Sequence, residues 1–500
     1  MTGDSPGRTD FGKALAPAHE FADSLLTGYT NLAVPEREKR VEGKRSLPSA
    51  FIERMARLLG GDLSAFLAAY ERPPYNGLRV NMLKLSPLEF RELRLFPLTP
   101  VPWCPSGFLL PDEHGAGKHP FHAAGLYYLQ EPSAMAVGEL LAAQPGERIL
   151  DLCAAPGGKA THLAAQLRGE GVLVANEIIP SRARILAENL ERWGATNAII
   201  TVESPQRLAS RWAGFFDRVL ADAPCSGEGM FRRSETARQE WRPEQVAGCA
   251  LRQSRILDRA AAMVRPGGVL AYATCTFAPQ ENEGVVASFL RGHLDFEVVA
   301  APAQPGFASG RPEWVQDGGT MPEGIELTVR LWPHLAPGEG HFIALFRRQG
   351  EETGPFAVGR RDRLPADAAR AYQAFCEENL HHAPEERLSL FGHTLYSLPA
   401  EAPDLAGLRV LRPGWELGTY QRERFEPSHA LAMGLRRGDV RRTLELSPDD
   451  EPVLRYLRGE VLQSPGVAGW AMITIAGYPL GWGKRVSDQV KNHYPRALRW

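Results

Sequence analysis

The chain has 500 residues, 44% hydrophobic and 23% charged, which suits a globular protein of more than one domain. No run approaches ~18 consecutive apolar residues and Met1 to Asp10 lacks a charged-then-apolar signal pattern, so neither a membrane span nor a secretory leader is expected. A formal charge of −2 leaves nucleic-acid binding to local patches, and six cysteines without a C-x-x-C pair or clustered histidines argue against a disulfide scaffold or a metal site and for a reducing cytoplasm.

Residues 1–45 mix Gly, Pro and balanced charges without periodicity and read as a flexible extension. A small α+β module over 46–128 follows: amphipathic helices over 50–59 and 63–70, a strand over 78–81, and prolines up to Pro120. Arg79 and Asn81 are candidate substrate contacts, although such side chains most often lie on exposed surface.

Between 129 and 349 strand and helix signals alternate. Arg148-Ile149-Leu150 predicts a strand, and 160–167 a helix with Leu163, Ala164 and Leu167 on one face. A strand over 172–177 precedes a helix over 181–193 with Ile185, Leu186, Leu190 and Trp193 on one face. Strands over 198–203 and 218–222 lead to a long helix over 245–264, stopped at Pro266-Gly267-Gly268, then a strand over 269–275, a helix over 284–290 and a strand over 341–346. Repeated β-α-β predicts a doubly wound, mostly parallel α/β sheet.

From Gly350-Glu351-Glu352-Thr353-Gly354-Pro355, a linker signal, the β-α-β rhythm stops, and 350–500 is a separate C-terminal region. Its last stretch, 478–500, interleaves Lys484, Arg485, Lys491, Arg496 and Arg499 with Tyr478, Trp482, His493, Tyr494 and Trp500. Cations with aromatics suit stacked bases and phosphates, and the same aromatics suit a small β core. Deleting residues after about 350 is expected to weaken nucleic-acid binding while sparing any ligand site within the α/β core.

The turn Asp151-Leu152-Cys153-Ala154-Ala155-Pro156-Gly157-Gly158-Lys159 joins a strand to a helix, where open α/β sheets bind nucleotide-like ligands. It lacks the G-x-G-x-x-G spacing of dinucleotide sites. Cys153 and Ala160 also stand where a phosphate loop needs Gly and Ser or Thr. A turn without a phosphate cradle suits an adenosyl ligand without phosphate, such as S-adenosylmethionine. Glu177, ending the next strand, lies where a carboxylate meets ribose hydroxyls.

Two further strand ends carry Asp222-Ala223-Pro224-Cys225-Ser226-Gly227-Glu228-Gly229 and Thr274-Cys275-Thr276, which brings two thiols and a carboxylate together. Carbon 5 of a pyrimidine is too weak a nucleophile to attack a sulfonium methyl. A thiolate adding to carbon 6 makes carbon 5 enamine-like, a carboxyl group on the base edge stabilises the developing charge, and a second thiol assists release.

The segments DLCAAPGGK, DAPCSGEGMFRR and TCTFAPQENEGVV together resemble the bacterial ribosomal RNA cytosine-carbon-5 methyltransferases of the RsmB/RsmF type, within the wider Sun-domain family. The resemblance is closest to the RsmF branch. It covers about 46–349, with further similarity at Gly477 to Lys484 and Lys491 to Pro495. It implies a Rossmann-like class I methyltransferase core with a PUA-like C-terminal region, Cys275 as nucleophile, Cys225 as the cysteine of product release and Asp222 as base-binding group near the donor. Cys153, Ala154, Ala155, Pro156, Gly157, Gly158 and Lys159, with Glu177 and Asp222, would hold S-adenosylmethionine. Glu203-Ser204 stand where many relatives carry an Asp, which leaves the adenine-side contact open. The implied partner is 16S ribosomal RNA or the small ribosomal subunit, and the chain is expected to be a cytoplasmic monomer without a metal. Transfer RNA as substrate, or an idle RNA-binding assembly factor, are the alternatives. Reaction at carbon 6 requires an unstacked base.

Overall fold

Alternating apolar strands and amphipathic helices assemble a ten-stranded sheet. Its order is Phe307–Ser309, Val329–Leu331, His341–Arg348, Val264–Thr274, Phe216–Asp222, Arg148–Asp151, Val172–Asn176, Ala198–Thr201 and Val410–Arg412, with Phe296–Val298 beside His341–Arg348. The computed structural model describes residues 47–111, 115–351, 359, 364–384 and 387–500. The extension expected over 1–45 and Glu352 to Pro355 of the expected linker lie outside them.

Side-chain alternation explains the two faces. Ile149, Leu173 and Ala175 pack with Leu163, Leu186, Leu190 and Trp193 in one core. Their neighbours Leu150, Val172 and Val174 pack with Leu208, Leu257, Val286 and Phe289 in the other. Each fully buried Leu contributes about 1.5–3 kcal/mol, and Leu173→Ala would cost about 2–5 kcal/mol.

The expectation of a mostly parallel sheet holds only for the five central strands, Val264–Thr274 through Ala198–Thr201. The flanking strands are antiparallel, because connections without a crossover helix between Phe296 and His341, and a return from the C-terminal region, supply them. Ile185 is 45% exposed rather than on the buried stripe. That stripe is Ala183, Leu186, Ala187, Leu190 and Trp193, at helical spacing, and Ile185 lies one residue, about 100°, off it. Helix Pro132–Leu141 gave no signal because it is buried almost all round, leaving no polar face.

The N-terminal module contains helices Ser49–Leu59 and Leu63–Tyr70 and an antiparallel sheet ordered Thr99–Val101, Cys104–Leu110, Asn76–Val80, Tyr127–Leu129. Its last strand straddles the boundary expected at 128. Phe51, Met55, Phe66 and Tyr70 share a core with Phe231, Trp241, Phe277 and Trp332, so these helices brace the loops beyond the core strands. Arg79 and Asn81, expected on exposed surface, are fully buried. Arg79 is compensated by hydrogen bonds and by stacking 4.8 Å over the Trp193 ring, and Asn81 donates to the Gly125 and Trp193 carbonyls at 2.7 Å each.

The C-terminal region holds two sheets. The first is ordered Leu388–Phe391, Thr394–Ser397, Trp415–Gln421, Arg424–Pro427. The second is ordered Thr443–Leu446, Gly469–Ile475, Tyr478–Val486, Gln489–Asn492, Leu462–Gln463. Strands Thr443–Leu446 and Gly469–Ile475 pair in parallel around helix Glu451–Leu457, a β-α-β crossing in a region where none was expected. Nor is the region separate from what precedes it. Val410–Arg412 extends the central sheet, and Tyr456, Leu457, Ile473, Leu480 and Tyr494 share a core with Leu78, Val80, Phe90 and Tyr127. Trp482 and Tyr494 are therefore core residues rather than base-stacking ones.

Candidate active site

Strand register builds the site. Asp151 lies opposite Leu220, and Asp222 opposite Ala273, so three parallel neighbours end at one edge with Asp151, Asp222 and Cys275 on consecutive strand ends. Parallel sheets collect ligand-binding loops at that edge.

The loop after the first of these strands is tied on every side. Ala154 N–H donates to the Asn176 carbonyl at 2.8 Å, Arg182 to the Ala155 carbonyl at 2.9 Å, and Asn189 to the Pro156 carbonyl at 2.7 Å. Gly157 has φ +118°, and a Cβ there would meet Leu186 and Asn189 side chains at 3.3 Å, so both backbone and space require glycine. From beneath, Arg79 donates to the Gly158 carbonyl at 3.0 Å, the Thr161 hydroxyl at 2.7 Å and Gln130 Oε1 at 3.0 Å.

Lys159, leaving this loop, places Nζ 2.8 Å from Asp222 Oδ2. Burial works against the ammonium, but Asp222 outweighs it and holds the Lys159 pKa above its ordinary value, with the Cys275 sulfur acting in the same direction. Asp151 is the counterpart. Burial, reinforced by Asp222 and opposed by Lys159, pushes its carboxyl up to about 8. Both its oxygens complete no hydrogen bond, although the Cys153 N–H lies near enough to favour the charge. Burial and the same carboxylates raise the Cys153 thiol well above its ordinary range.

Glu177 is buried, accepts from Ile179 N–H at 3.0 Å and pairs with Arg182 at 3.0 Å. Burial keeps its carboxyl above the ordinary range despite Arg182. Glu203 is turned to other duties: it accepts from Arg409 N–H at 2.8 Å and pairs with Arg207 at 3.2 Å. Ser204 caps helix Pro205–Arg211.

The two thiols meet. Cys225 Sγ and Cys275 Sγ lie 3.3 Å apart, Cys225 buried and Cys275 half-buried. The hydrogen bond with Cys275, then burial and the nearby Glu281 carboxylate, push the Cys225 thiol well above its ordinary range. The loop beyond Cys225 is anchored by Arg232, which pairs with Glu339 at 2.6 Å and donates to the Ala69 carbonyl at 2.9 Å. Glu228 accepts from Phe277 N–H and Trp241 Nε1, both at 3.1 Å, and pairs with Arg54 at 2.6 Å.

The structure thus brings Lys159, Asp222, Cys225 and Cys275 together, with the 153–158 loop and Glu177 along the same edge. Sequence reasoning gave Asp151 no role, although an acid closing an apolar strand was its signal, and offered Arg79 as a substrate contact rather than as the support beneath the Gly158 loop that it is. It also gave no role to Glu281 and Asn282, consecutive polar residues that are both fully buried. Elsewhere, Cys104 Sγ and His162 Nε2 each lie 3.0 Å from one Glu139 oxygen, in a trio within reach of the Arg79 charge.

The 16S rRNA methyltransferase RsmB/F family matches residues 138–347, and the N-terminal domain of 16S rRNA methyltransferase RsmF matches 47–132. The RsmF first C-terminal domain matches 374–435 and the RsmF PUA domain 443–500. The ribosomal RNA small subunit methyltransferase F of Salmonella newport (strain SL254) is 32% identical over 478 residues, 90% of this chain and 96% of the relative. The chain belongs to the RsmB/F methyltransferase family. The Salmonella typhi protein of the same name matches with the same identity and coverage. A methyltransferase homolog from Pyrococcus horikoshii superposes with TM-score 0.54 at 31% identity, covering 61% of this chain and 96% of that one. NSun6 from Pyrococcus horikoshii, at 20% identity and TM-score 0.52, shares the fold over 61% of this chain.

The RsmB/F chain is thus an S-adenosylmethionine-dependent methyltransferase with a Rossmann-like core and a C-terminal PUA domain. The site suits that donor on its own evidence. Asp151 offers a cationic ligand a buried carboxyl group whose two oxygens complete no hydrogen bond. No described helix is long and apolar enough to cross a membrane.

Proposed function

We propose that this chain methylates carbon 5 of a cytosine in 16S ribosomal RNA through a covalent adduct on Cys275. The observation that carries the reading is the 3.3 Å approach of two thiols beside Asp222, with opposite charges behind them. The Lys159 ammonium interacts with Cys275, while the Glu281 carboxylate lies near Cys225. A thiolate at Cys275 would face a cation and accept a hydrogen bond from the Cys225 thiol. That asymmetry favours Cys275 as nucleophile and Cys225 as its protonated partner.

In this reading Asp222 and Lys159 bind the base edge, and the Cys275 thiolate forms a bond to carbon 6. S-adenosylmethionine supplies an electrophilic methyl group; Cys153 to Lys159, Glu177 and Asp222, joined by Asp151, hold it. Once carbon 5 is methylated it gives its proton to a solvent base, the C–H electrons re-form the double bond to carbon 6, and the carbon–sulfur bond breaks with its electrons returning to Cys275. Cys225, 3.3 Å away, donates a hydrogen bond to the departing thiolate. The modules over 46–128 and 350–500 grip the RNA, and unstacking of the target base costs on the order of a few kcal/mol.

The test is transfer of labelled methyl to unmodified small ribosomal subunits and, separately, to naked small-subunit RNA. Label on cytosine carbon 5 with wild type, none with Cys275→Ala, and a protein–RNA adduct trapped by Cys225→Ala is the expected pattern. Trapping by Cys275→Ala instead would reverse the two roles, and label only on transfer RNA would replace the substrate.

A further inference from the structure

Immediately after the Cys275 loop run two polar residues with no exposure to solvent, Glu281 and Asn282. Helix Glu283–Gly292 begins just beyond them, and each reaches a different cysteine loop. Glu281 accepts from the Ser226 N–H at 2.9 Å, from the Ser226 hydroxyl, and from Gln253 Nε2 at 2.8 Å. Gln253, on helix Pro243–Met263, also donates to the Pro224 carbonyl at 3.0 Å, so Pro224 and Ser226, the residues flanking Cys225, are both held. Asn282 does the same for Cys275. It accepts from the Thr274 hydroxyl at 2.6 Å and donates to the Thr276 carbonyl at 2.9 Å, again flanking the cysteine on both sides. A 2.9 Å hydrogen bond between Ser226 and Thr276 hydroxyls closes the frame.

We propose that Glu281 and Asn282 are positioning residues, Glu281 setting the Cys225 thiol and Asn282 the Cys275 thiol, so that the two sulfurs meet at the distance the reaction needs. This rests on the two-thiol reading above. A buried carboxylate with three donors is a costly choice for a mere loop anchor, since a backbone carbonyl or an amide would suffice. Its carboxyl also lies near Cys225, where its charge favours the protonated thiol. Burial, reinforced by Glu228 and opposed by the Ser226 and Gln253 donors, pushes that carboxyl up to about 7, so the charge is in place above about pH 7. Cys249 and Tyr272 are its other titratable neighbours, and the Tyr272 hydroxyl donates to its backbone carbonyl at 2.5 Å.

The two positions should fail in opposite ways. With unmethylated small-subunit RNA and S-adenosylmethionine, Glu281→Gln leaves adduct formation in place and slows release, and the protein–RNA adduct rises. The expected rise is roughly tenfold, the scale of one lost hydrogen bond to a charged group. Asn282→Ala slows adduct formation itself, so adduct does not rise while single-turnover methyl transfer falls by a similar factor. Ser226→Ala and Thr274→Val, smaller changes on the same two frames, follow Glu281→Gln and Asn282→Ala respectively and serve if either larger change prevents folding. Donor affinity, measured by calorimetry, stays unchanged in all four. A parallel loss in both frames, tracking thermal stability, or wild-type turnover in Glu281→Gln, overturns the assignment. Absence of adduct with Cys225→Ala is a separate failure, of the two-thiol reading itself.

Discussion

The Lys159 ammonium lies 2.8 Å from the Asp222 carboxylate, and its charge also favours the ionised form of a second buried acid, Asp151. Removing it leaves two neighbouring carboxylates facing each other without their cation. In Lys159→Ala, single-turnover methyl transfer at saturating RNA should fall by roughly 10²-fold, as when one donor is lost from a preorganised charge-stabilising site. Transfer within a few-fold of wild type would show that Lys159 serves only to hold the loop.

Asp151 allows a test that does not use activity. Its folded pKa of about 8 lies above the ordinary ~3.9 of an unfolded Asp, so the protonated form is favoured by folding. That contribution is complete below about pH 4 and is lost as pH rises towards about 8. Asp151→Asn should remove this slope from thermal melts of donor-free protein and stabilise it at pH 8. The same change should weaken S-adenosylmethionine binding by about tenfold or more, because a charge-assisted contact to a cation is lost. Unchanged affinity would place the donor's cationic part elsewhere.

Glu191 ties the core to the C-terminal region. It pairs with Arg412 on the strand added to the central sheet and accepts from His429 Nδ1 at 2.6 Å. Burial alone would raise its carboxyl, but Arg412 and His429 outweigh it and bring it to about 2. This is a lowered acid, so its stabilisation is full above about pH 5 and fades as pH falls towards 2. Glu191→Gln should cost about 2 kcal/mol at pH 7, since it removes two charge-assisted contacts and leaves the half-buried Arg412 only Glu416, 3.8 Å away, as its acid, and less near pH 3. Chemical denaturation at the two pH values checks this; equal losses would contradict the assignment.

Deleting residues after 350 no longer isolates RNA binding. It strips Tyr456, Ile473, Leu480 and Tyr494 from the N-terminal core, and the remainder should aggregate or melt early. Point changes are cleaner. Exposed Lys484 and Lys491 lie directly opposite each other on paired strands, and Lys484 Nζ sits 5.1 Å from the Trp470 ring. Like charges opposed across strands are unfavourable until an anion joins them. Lys484→Ala with Lys491→Ala should weaken RNA binding across sequences and lower its log–log salt slope by about 2, without loss of thermal stability. An unchanged slope would take this face out of the RNA contact.

Much of the site was legible in order along the chain, because each component is local. The small-residue turn from Cys153 to Lys159, and the acids and cysteines that end strands, are dictated by neighbours within a few residues, and periodicity places them on strand ends. What the chain order could not contain is the meeting of distant parts. Arg79 and Asn81 read as surface because the Trp193 ring and the Gly158 carbonyl that cover or hold them lie about a hundred residues away. Trp482 and Tyr494 read equally as base-stacking or core, and only packing decided for core. The sequence by itself determined which chemistry-bearing groups stand at strand ends. Tertiary structure alone decided that two sulfurs 50 residues apart lie 3.3 Å from each other, because strand register and the buried Glu281 and Asn282 frames, not local propensity, set that distance.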